Sequence, residues 1–332
     1  MSKSYDVLGL GNAIVDVIAA CDDDFLVAQG LHKGAMQLID EARAEKLYGL
    51  MGQTTVTSGG SAANTIIGAA GLGCRTAFIG KLKADDLGQL FAHDIRAAAV
   101  DYATPLARAG SASARCLILV TPDGQRTMNT FLGACQNLTA ADVEPQLVEA
   151  AAITYLEGYL WDPPEAKAAF LKASKIAHAA GRQVALSLSD AFCVDRYRGE
   201  FLDLIRTGSI DILFANESEL HSLYETGDFD TAVAQLRNEG VLAAVTRSEK
   251  GSLVVTREET LSVHAFPVDR IVDTTGAGDL FAAGFLAGLS KGQDLTACAR
   301  LGALAAAEII QHFGARPQAD LRALAAENGF AL

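Results

Sequence analysis

The segment Asp273–Phe281, D-T-T-G-A-G-D-L-F, sets three small residues between two carboxylates, directly before the apolar helical run Ala282–Leu289. Gly276, Ala277 and Gly278 stand where that helix begins. There the first backbone N–H groups have no intrahelical acceptor and the helix dipole favours an anion. Asp279 falls in the same first turn. A carboxylate within reach of a hydroxyl can take its proton as the oxygen attacks, so an anion-binding turn beside an aspartate is suited to phosphoryl transfer, a reaction governed by positioning and charge stabilisation. Simple capping would also place an acid here, but three small residues flanked by two aspartates exceed what a cap needs.

A second turn, S-G-G-S-A-A-N at Ser58–Asn64, again opens a helical run and follows a strand-like Thr54–Thr57. Ser61 and Asn64, beside Gly59 and Gly60, can offer donors and acceptors to sugar hydroxyls; an N-capped helix with a tight entry turn would read the same way. Near the start, G-L-G-N-A-I-V-D (Gly9–Asp16) has Ile14 where a dinucleotide fingerprint needs its third glycine, which argues against a Rossmann cofactor site. Asn12 and Asp16 instead form a polar pair suited to vicinal hydroxyls through charge-assisted hydrogen bonds. No G-x-x-x-x-G-K-[ST] sequence occurs, which leaves the Gly276 turn as the candidate phosphate cradle.

These residues need a scaffold that gathers the ends of several strands. Apolar runs at Val7–Gly11, Ala77–Lys81, Ile153–Glu157, Val184–Ser187, Ile212–Ala215 and Ala243–Thr246 alternate with stretches of helical period such as Ala62–Ala70, Glu165–Ala179 and Thr231–Glu239. The alternation predicts an α/β fold with a mostly parallel sheet covered on both faces, whose ligands bind beyond the carboxyl ends of the strands. Two segments break the rhythm. Residues 14–57 mix turn signals with short apolar pieces, and residues 114–132 read as two strands joined at Pro122-Asp123-Gly124. Together they can form a small sheet over the main one, either a lid or an edge extension.

Composition narrows the partners. The 332 residues are half apolar, enough for a large core, and 27 Lys and Arg against 40 Asp and Glu leave a net charge of −13, which argues against nucleic-acid backbones and anionic membranes. No leader-like N-terminus and no apolar run of about 18 residues is present, so a cytoplasmic protein is expected. Six cysteines without a C-x-x-C pair read as reduced, mostly core thiols, not as a disulfide framework or zinc site.

Taken together, the segments Ser58–Gly88 and Asp273–Leu286 resemble the two signatures of the ribokinase-like (PfkB) carbohydrate and nucleoside kinases, in the expected order and separation. Within that family the resemblance is greatest to its adenosine kinases, carried by Gly9-Leu10-Gly11-Asn12, Asp24-Phe25-Leu26, Leu186–Ser189 and Asp211–Glu217. It implies a three-layer α/β/α fold with a β-sheet lid: residues 1–13, 57–108 and 134–332 form the large catalytic domain, and residues 14–56 and 109–133 the discontinuous lid. It further implies that Asp279 is the catalytic base, that Gly276, Ala277 and Gly278 form the anion hole, and that Arg126 reaches the migrating phosphoryl group. Asn12, Asp16, Gly59, Gly60 and Asn64 would hold the ribose. Ile14, Gln37, Ile39, Met128, Thr130, Leu132 and Leu160 or Trp161 would surround the base of the acceptor, although Asn129, Thr130 and Gln136 are more polar than a strict adenosine pocket suggests.

On the donor side, Asn216 and Glu219 match an N-x-x-E motif whose glutamate orients hydrated Mg²⁺, and Thr246 and Gly251 fall in the ATP site. Asp273 and Thr275, with the tail Gly314–Pro317, would supply oxygens to a K⁺ ion. The expected reaction is transfer of the ATP γ-phosphate to the 5′-hydroxyl of adenosine or a related ribonucleoside. A sugar kinase of the ribokinase or fructokinase type is the alternative, and a catalytically silent nucleoside-binding protein a second one. Expected partners are the nucleoside and ATP, in a monomer or a lid-paired homodimer.

Overall fold

Neighbouring residues of a strand face opposite ways, and here both faces are apolar. Ile212 and Phe214 pack to one side of their strand while Leu213 and Ala215 pack to the other. Burial on both faces is what makes such strands read as unbroken apolar runs. The structure, a computed structural model, describes residues 5–332. Its strands in chain order are β1 (Tyr5–Leu10), β2 (Ile14–Ala20), β3 (Met36–Leu38), β4 (Thr54–Gly59), β5 (Thr76–Ile79), β6 (Val100–Tyr102), β7 (Ala114–Val120), β8 (Arg126–Phe131), β9 (Ala151–Glu157), β10 (Gln183–Ser187), β11 (Ile212–Asn216), β12 (Leu242–Thr246), β13 (Ser252–Val255) and β14 (Thr260–Val263).

Nine strands form the main sheet in the order β14-β13-β12-β11-β10-β9-β1-β5-β6, parallel from β12 through β6 and antiparallel at β13 and β14. The helices Pro164–Ala179, Ala191–Arg206, Glu217–Tyr224 and Phe229–Glu239 cover one face through Phe170, Phe201, Leu220 and Leu236. The helices Ser61–Gly71, Asp86–Ala97, Ala277–Ser290 and Leu295–Ile309 cover the other through Ile66, Phe91, Phe285 and Cys298. This is the three-layer α/β/α arrangement expected from the alternation. Tyr155, Phe214 and Phe285 lock the sheet to the Ala277 helix by edge-to-face contacts, with centroids 6.0 and 5.5 Å apart.

The remaining five strands form a second sheet, ordered β3-β8-β7-β2-β4. The hairpin β7–β8 turns where Pro122-Asp123-Gly124 predicts it: Gly124 N donates to Thr121 O (2.8 Å), and Thr121 Oγ1 donates to the Asp123 carboxylate (2.6 Å). Val15, Val17, Leu117 and Leu119 point to its outer side. There two short helices, Asp23–Ala28 and Glu41–Tyr48, cover them with Leu26, Ala44 and Leu47. The alternate residues face the carboxyl ends of the main strands. All six cysteines are free, five of them buried. Among the described residues no helix is long and apolar enough to cross a membrane.

Candidate active site

Between the two sheets lies a cavity of about 490 Å³. Its floor is the start of the Ala277 helix. Gly276 caps that helix with φ 81°, a left-handed conformation that favours glycine, and no side chain bonds the helix start. Ala277 N is engaged in the turn, donating to Thr274 O (3.2 Å). The amides of Gly278 and Asp279 are those the helix leaves without an internal acceptor. Gly276, Ala277, Gly278 and Asp279 all line the cavity.

Asp279 is held from the Ser61 helix. Ser61 Oγ donates to one carboxylate oxygen (2.6 Å) and Asn64 Nδ2 to the other (2.9 Å). Burial pushes the Asp279 pKa up; those two bonds and the positive charge of Arg316 oppose the rise. Asn64 is among the residues lining the cavity, and its Oδ1, itself closed off from solvent, has no partner. Asp16, on β2, also lines the cavity and receives no hydrogen bond from any described residue. Burial pushes its pKa up to about 6, against the attraction of Arg316 and Arg126 and with the repulsion of Asp279.

The turn at Gly59-Gly60 is shaped by these neighbours. A Cβ on Gly59 would stand 2.3 Å from the Asp16 carboxylate, and one on Gly60, whose φ is 96°, would stand 2.2 Å from the Asn12 carbonyl oxygen. Gly60 lines the cavity; Gly59 supports Asp16 from behind. Asn12 is buried beneath the wall instead of lining it, its N–H donating to Glu157 Oε1 (2.8 Å).

The inner face of the second sheet supplies Ile14, Cys116, Ile118, Met128 and Thr130. Gln37 and Ile39 do not join them. Met36 pairs with Met128 and Leu38 with Thr130, so the pleat sends Met36 and Leu38 toward the cavity side and Gln37 and Ile39 away from it. Gln37 bonds Asn129 behind the sheet (2.7 Å), and Ile39 packs on the core. Leu132, past the end of β8, is half-buried and does not line the cavity. Leu160 and Trp161 are core residues: Trp161 packs on Phe170 and Phe201 and donates Nε1–H to Glu200 (2.9 Å). Tyr159, one residue earlier, is the side chain that lines the cavity after β9.

At the other end the cavity reaches Asn216, Glu219 and Thr246, at the carboxyl ends of β11 and β12. Asn216 and Glu219 form a reciprocal cap. Asn216 Oδ1 accepts from Glu219 N (2.8 Å), while the Glu219 oxygens accept from Asn216 N and Nδ2 (2.9 and 2.6 Å). Burial pushes the Glu219 pKa up to about 7 despite the Asn216 N–H bond. Gly251 packs its backbone under the Val263 carbonyl of β14 and stands outside the wall.

Arg126, at the start of β8, does not line the cavity but is tied to its rim. Its Nη2 lies 2.6 Å from Asp273 Oδ2, Nη1 donates to Thr275 Oγ1 (3.4 Å), and the guanidinium sits 5.5 Å from the Phe313 ring. Asp273 also accepts from Thr275 N and Oγ1 (3.0 and 2.7 Å) and from Gly314 N (2.9 Å). The Asp273 carboxylate proposed for K⁺ thus already faces a fixed cation, the Arg126 guanidinium.

Two polar anchors were not legible beforehand. Glu157, at the end of β9, is fully buried and bridges two turns, accepting Asn12 N on one oxygen and Ala62 N (2.7 Å) on the other. Burial pushes its pKa up to about 7, against the pull of these N–H bonds. An apolar strand ending in Glu before a glycine was the available signal. Glu157→Ala is expected to lower unfolding free energy by about 2–4 kcal/mol, since two buried amides lose their acceptor at about 1–3 kcal/mol each. Urea unfolding followed by circular dichroism measures it, and a loss below about 1 kcal/mol would contradict the bridging role. The second anchor, Arg316, carries no local pattern at all.

An uncapped helix start with a positioned carboxylate, set beyond the strands of a three-layer fold under a second sheet, defines a phosphotransferase acting on an alcohol. Residues 27–321 match the pfkB family carbohydrate kinase. The chain is 52% identical to the adenosine kinase of Sinorhizobium meliloti, whose structure superposes with a TM-score of 0.92 over 98% of this chain and 100% of that one. A probable sugar kinase from Rhizobium etli CFN 42 is 51% identical, with a TM-score of 0.93 over 99% of both chains. The adenosine kinase of Saccharomyces cerevisiae is 28% identical over 329 residues, covering 92% of this chain and 94% of its own length. The chain belongs to the pfkB family of carbohydrate kinases.

Proposed function

We propose that this protein transfers the γ-phosphate of ATP to the 5′-hydroxyl of adenosine or a closely related ribonucleoside, giving the nucleoside 5′-monophosphate and ADP. The observation that carries the reading is the placing of Asp279 at an uncapped helix start, in one cavity with two residues whose acceptors lack protein partners, the Asp16 carboxylate and the buried Oδ1 of Asn64. The two acceptors suit the vicinal hydroxyls of a ribose. Its exocyclic alcohol would then lie toward Asp279, which takes the proton as the oxygen attacks phosphorus. The free amides of the Ala277 helix stabilise charge on the migrating group. Ile14, Ile118 and Met128, with Met36 and Leu38 on the same face, give a flat apolar wall suited to a nucleobase.

Glu219 is a buried carboxylate at the donor end, and among the described residues no group of three or more His, Cys, Asp or Glu can enclose a cation. That fits Mg²⁺ that keeps its water and arrives with the nucleotide, Glu219 acting on its hydration shell. Held there through water by Glu219, the ion would supply positive charge to the nucleotide's phosphates. We further propose that residues 14–56 and 109–133 work as a lid, and that Arg126, held at the cavity rim by Asp273 and Thr275, reaches the migrating phosphoryl group when the lid closes.

A sugar kinase is the second reading, favoured by the 51%-identical probable sugar kinase. A coupled ADP-release assay over adenosine, other ribonucleosides, ribose and fructose decides between them. Turnover of adenosine at a kcat/KM at least about 10²-fold above any free sugar is expected; turnover of sugars alone would overturn the nucleoside reading.

A further inference from the structure

Arg316 lies in the loop after the Leu295–Ile309 helix, and its guanidinium reaches across to the acceptor side. Nε and Nη2 both donate to Ser58 O (3.0 and 2.8 Å), Nη2 donates to Ser58 Oγ (3.0 Å), and Nη1 donates to Ala63 O (3.4 Å). Ser58 precedes the two glycines that shape the acceptor turn, and Ala63 is in the first turn of the helix that bonds Asp279. The neighbouring Ala315 lies against Gly276: a Cβ on that glycine would be 3.0 Å from the Ala315 Cβ. One short loop thus touches both turns of the reaction site. No carboxylate stands within 4 Å of the guanidinium among the described ion pairs, so its charge is held by carbonyls and acts at a distance on Asp16, Asp279 and Asp94.

We propose that Arg316 is a positioning residue for the transfer, bracing the Ser58 turn against the Gly276 turn and placing a fixed positive charge behind Asp16 and Asp279. The surroundings make that charge consequential. Asp279 is faced by Asp16 from β2 and by Tyr155, Glu157 and Tyr159 from β9 and its end; each is neutral or negative. Arg316 is the cation that opposes them at Asp279; at Asp16, which also faces the Cys116 thiol of β7, Arg126 adds its charge. Burial pulls the Arg316 pKa down to about 10, which still leaves it charged at neutral pH. Arginine suits the role better than lysine because its planar fork can bond two carbonyls at once.

The inference rests on the kinase reading, and the experiment separates the two. Wild type, Arg316→Gln and Arg316→Lys are compared for adenosine phosphorylation across pH 5–9, for adenosine binding by calorimetry, and for thermal unfolding. Arg316→Gln is expected to lose about 10-fold to 100-fold in kcat, the effect of a displaced reacting group, and to move the acid limb of kcat/KM to higher pH. Arg316→Lys, which keeps the charge and loses the fork, should restore the acid limb while recovering only part of kcat. An unshifted limb in Arg316→Gln, with Arg316→Lys no better than it, would overturn the proposal and leave a purely structural strut. If Arg316→Gln fails to fold, the lysine variant decides: a limb displaced as far as loss of the charge would demand contradicts the electrostatic role. If wild type phosphorylates no nucleoside, the kinase reading fails on its own. The pH dependence of adenosine binding still tests Arg316, since weaker binding of Arg316→Gln, with its onset moved to higher pH, is expected through Asp16, and unchanged binding overturns it.

Discussion

Replacing Asp279 by asparagine is expected to lower kcat by about 10²-fold to 10⁴-fold, with adenosine affinity changed by less than about tenfold. The substitution preserves shape and leaves Ser61 an acceptor. Asn64 can turn its amide so that the unpartnered Oδ1 accepts from the N–H of the introduced amide, which keeps the wall in place. What disappears is the proton acceptor. Because burial raises the Asp279 pKa, the wild-type enzyme should lose activity on acidification at a pH above the ordinary carboxylate range, and the residual activity of the variant should lack that limb. Single-turnover kinetics with calorimetric binding measures both; activity within about tenfold of wild type would remove Asp279 from the role of base.

Asp16→Ala is expected to lower kcat/KM for adenosine by about 10²-fold to 10⁴-fold, mostly through weaker binding. A carboxylate bonded to two vicinal hydroxyls provides charge-assisted bonds of about 1.5–3 kcal/mol each, and Asp16 has no partner within the protein that already uses it. With its pKa raised to about 6, acidification through that value protonates Asp16 and removes an acceptor. Adenosine binding should weaken as pH falls from 7 to 5 and stay level above 7, a dependence the variant should lack. Calorimetric titration at several pH values checks this, and equal affinity in the two proteins would show that the ribose lies elsewhere.

The parts of this arrangement that chemistry confines to neighbouring residues were readable. Strands buried on both faces announce themselves as apolar runs, and Pro122-Asp123-Gly124 can hardly be anything but a turn, so the two sheets followed from the chain. The Gly276 turn and Asp279 were readable because amides, small residues and acid must all lie within one helical turn. Side-chain direction was less accessible. M-Q-L-I-D offers apolar residues on both parities, and β3 is three residues long at a sheet edge, so only its pairing with β8 decides that Met36 and Leu38, not Gln37 and Ile39, face inward. Likewise Tyr159, Leu160 and Trp161 are all aromatic or apolar, and the short turn after β9 alone selects Tyr159. Partners distant in sequence were hidden altogether: Glu157 meets Asn12 and Ala62, Arg316 meets Ser58, and Arg126 meets Asp273. Cys116 was readable as a buried thiol but not as part of the cavity wall.

A crystal structure with adenosine bound tests the central claim most directly, through the distance from the ribose O5′ to the Asp279 carboxylate. The geometry described here predicts a separation of about 2.6–3.2 Å, with the ribose hydroxyls on Asp16 and Asn64. An O5′ beyond hydrogen-bond reach of Asp279, or turned away from the start of the Ala277 helix, would contradict it.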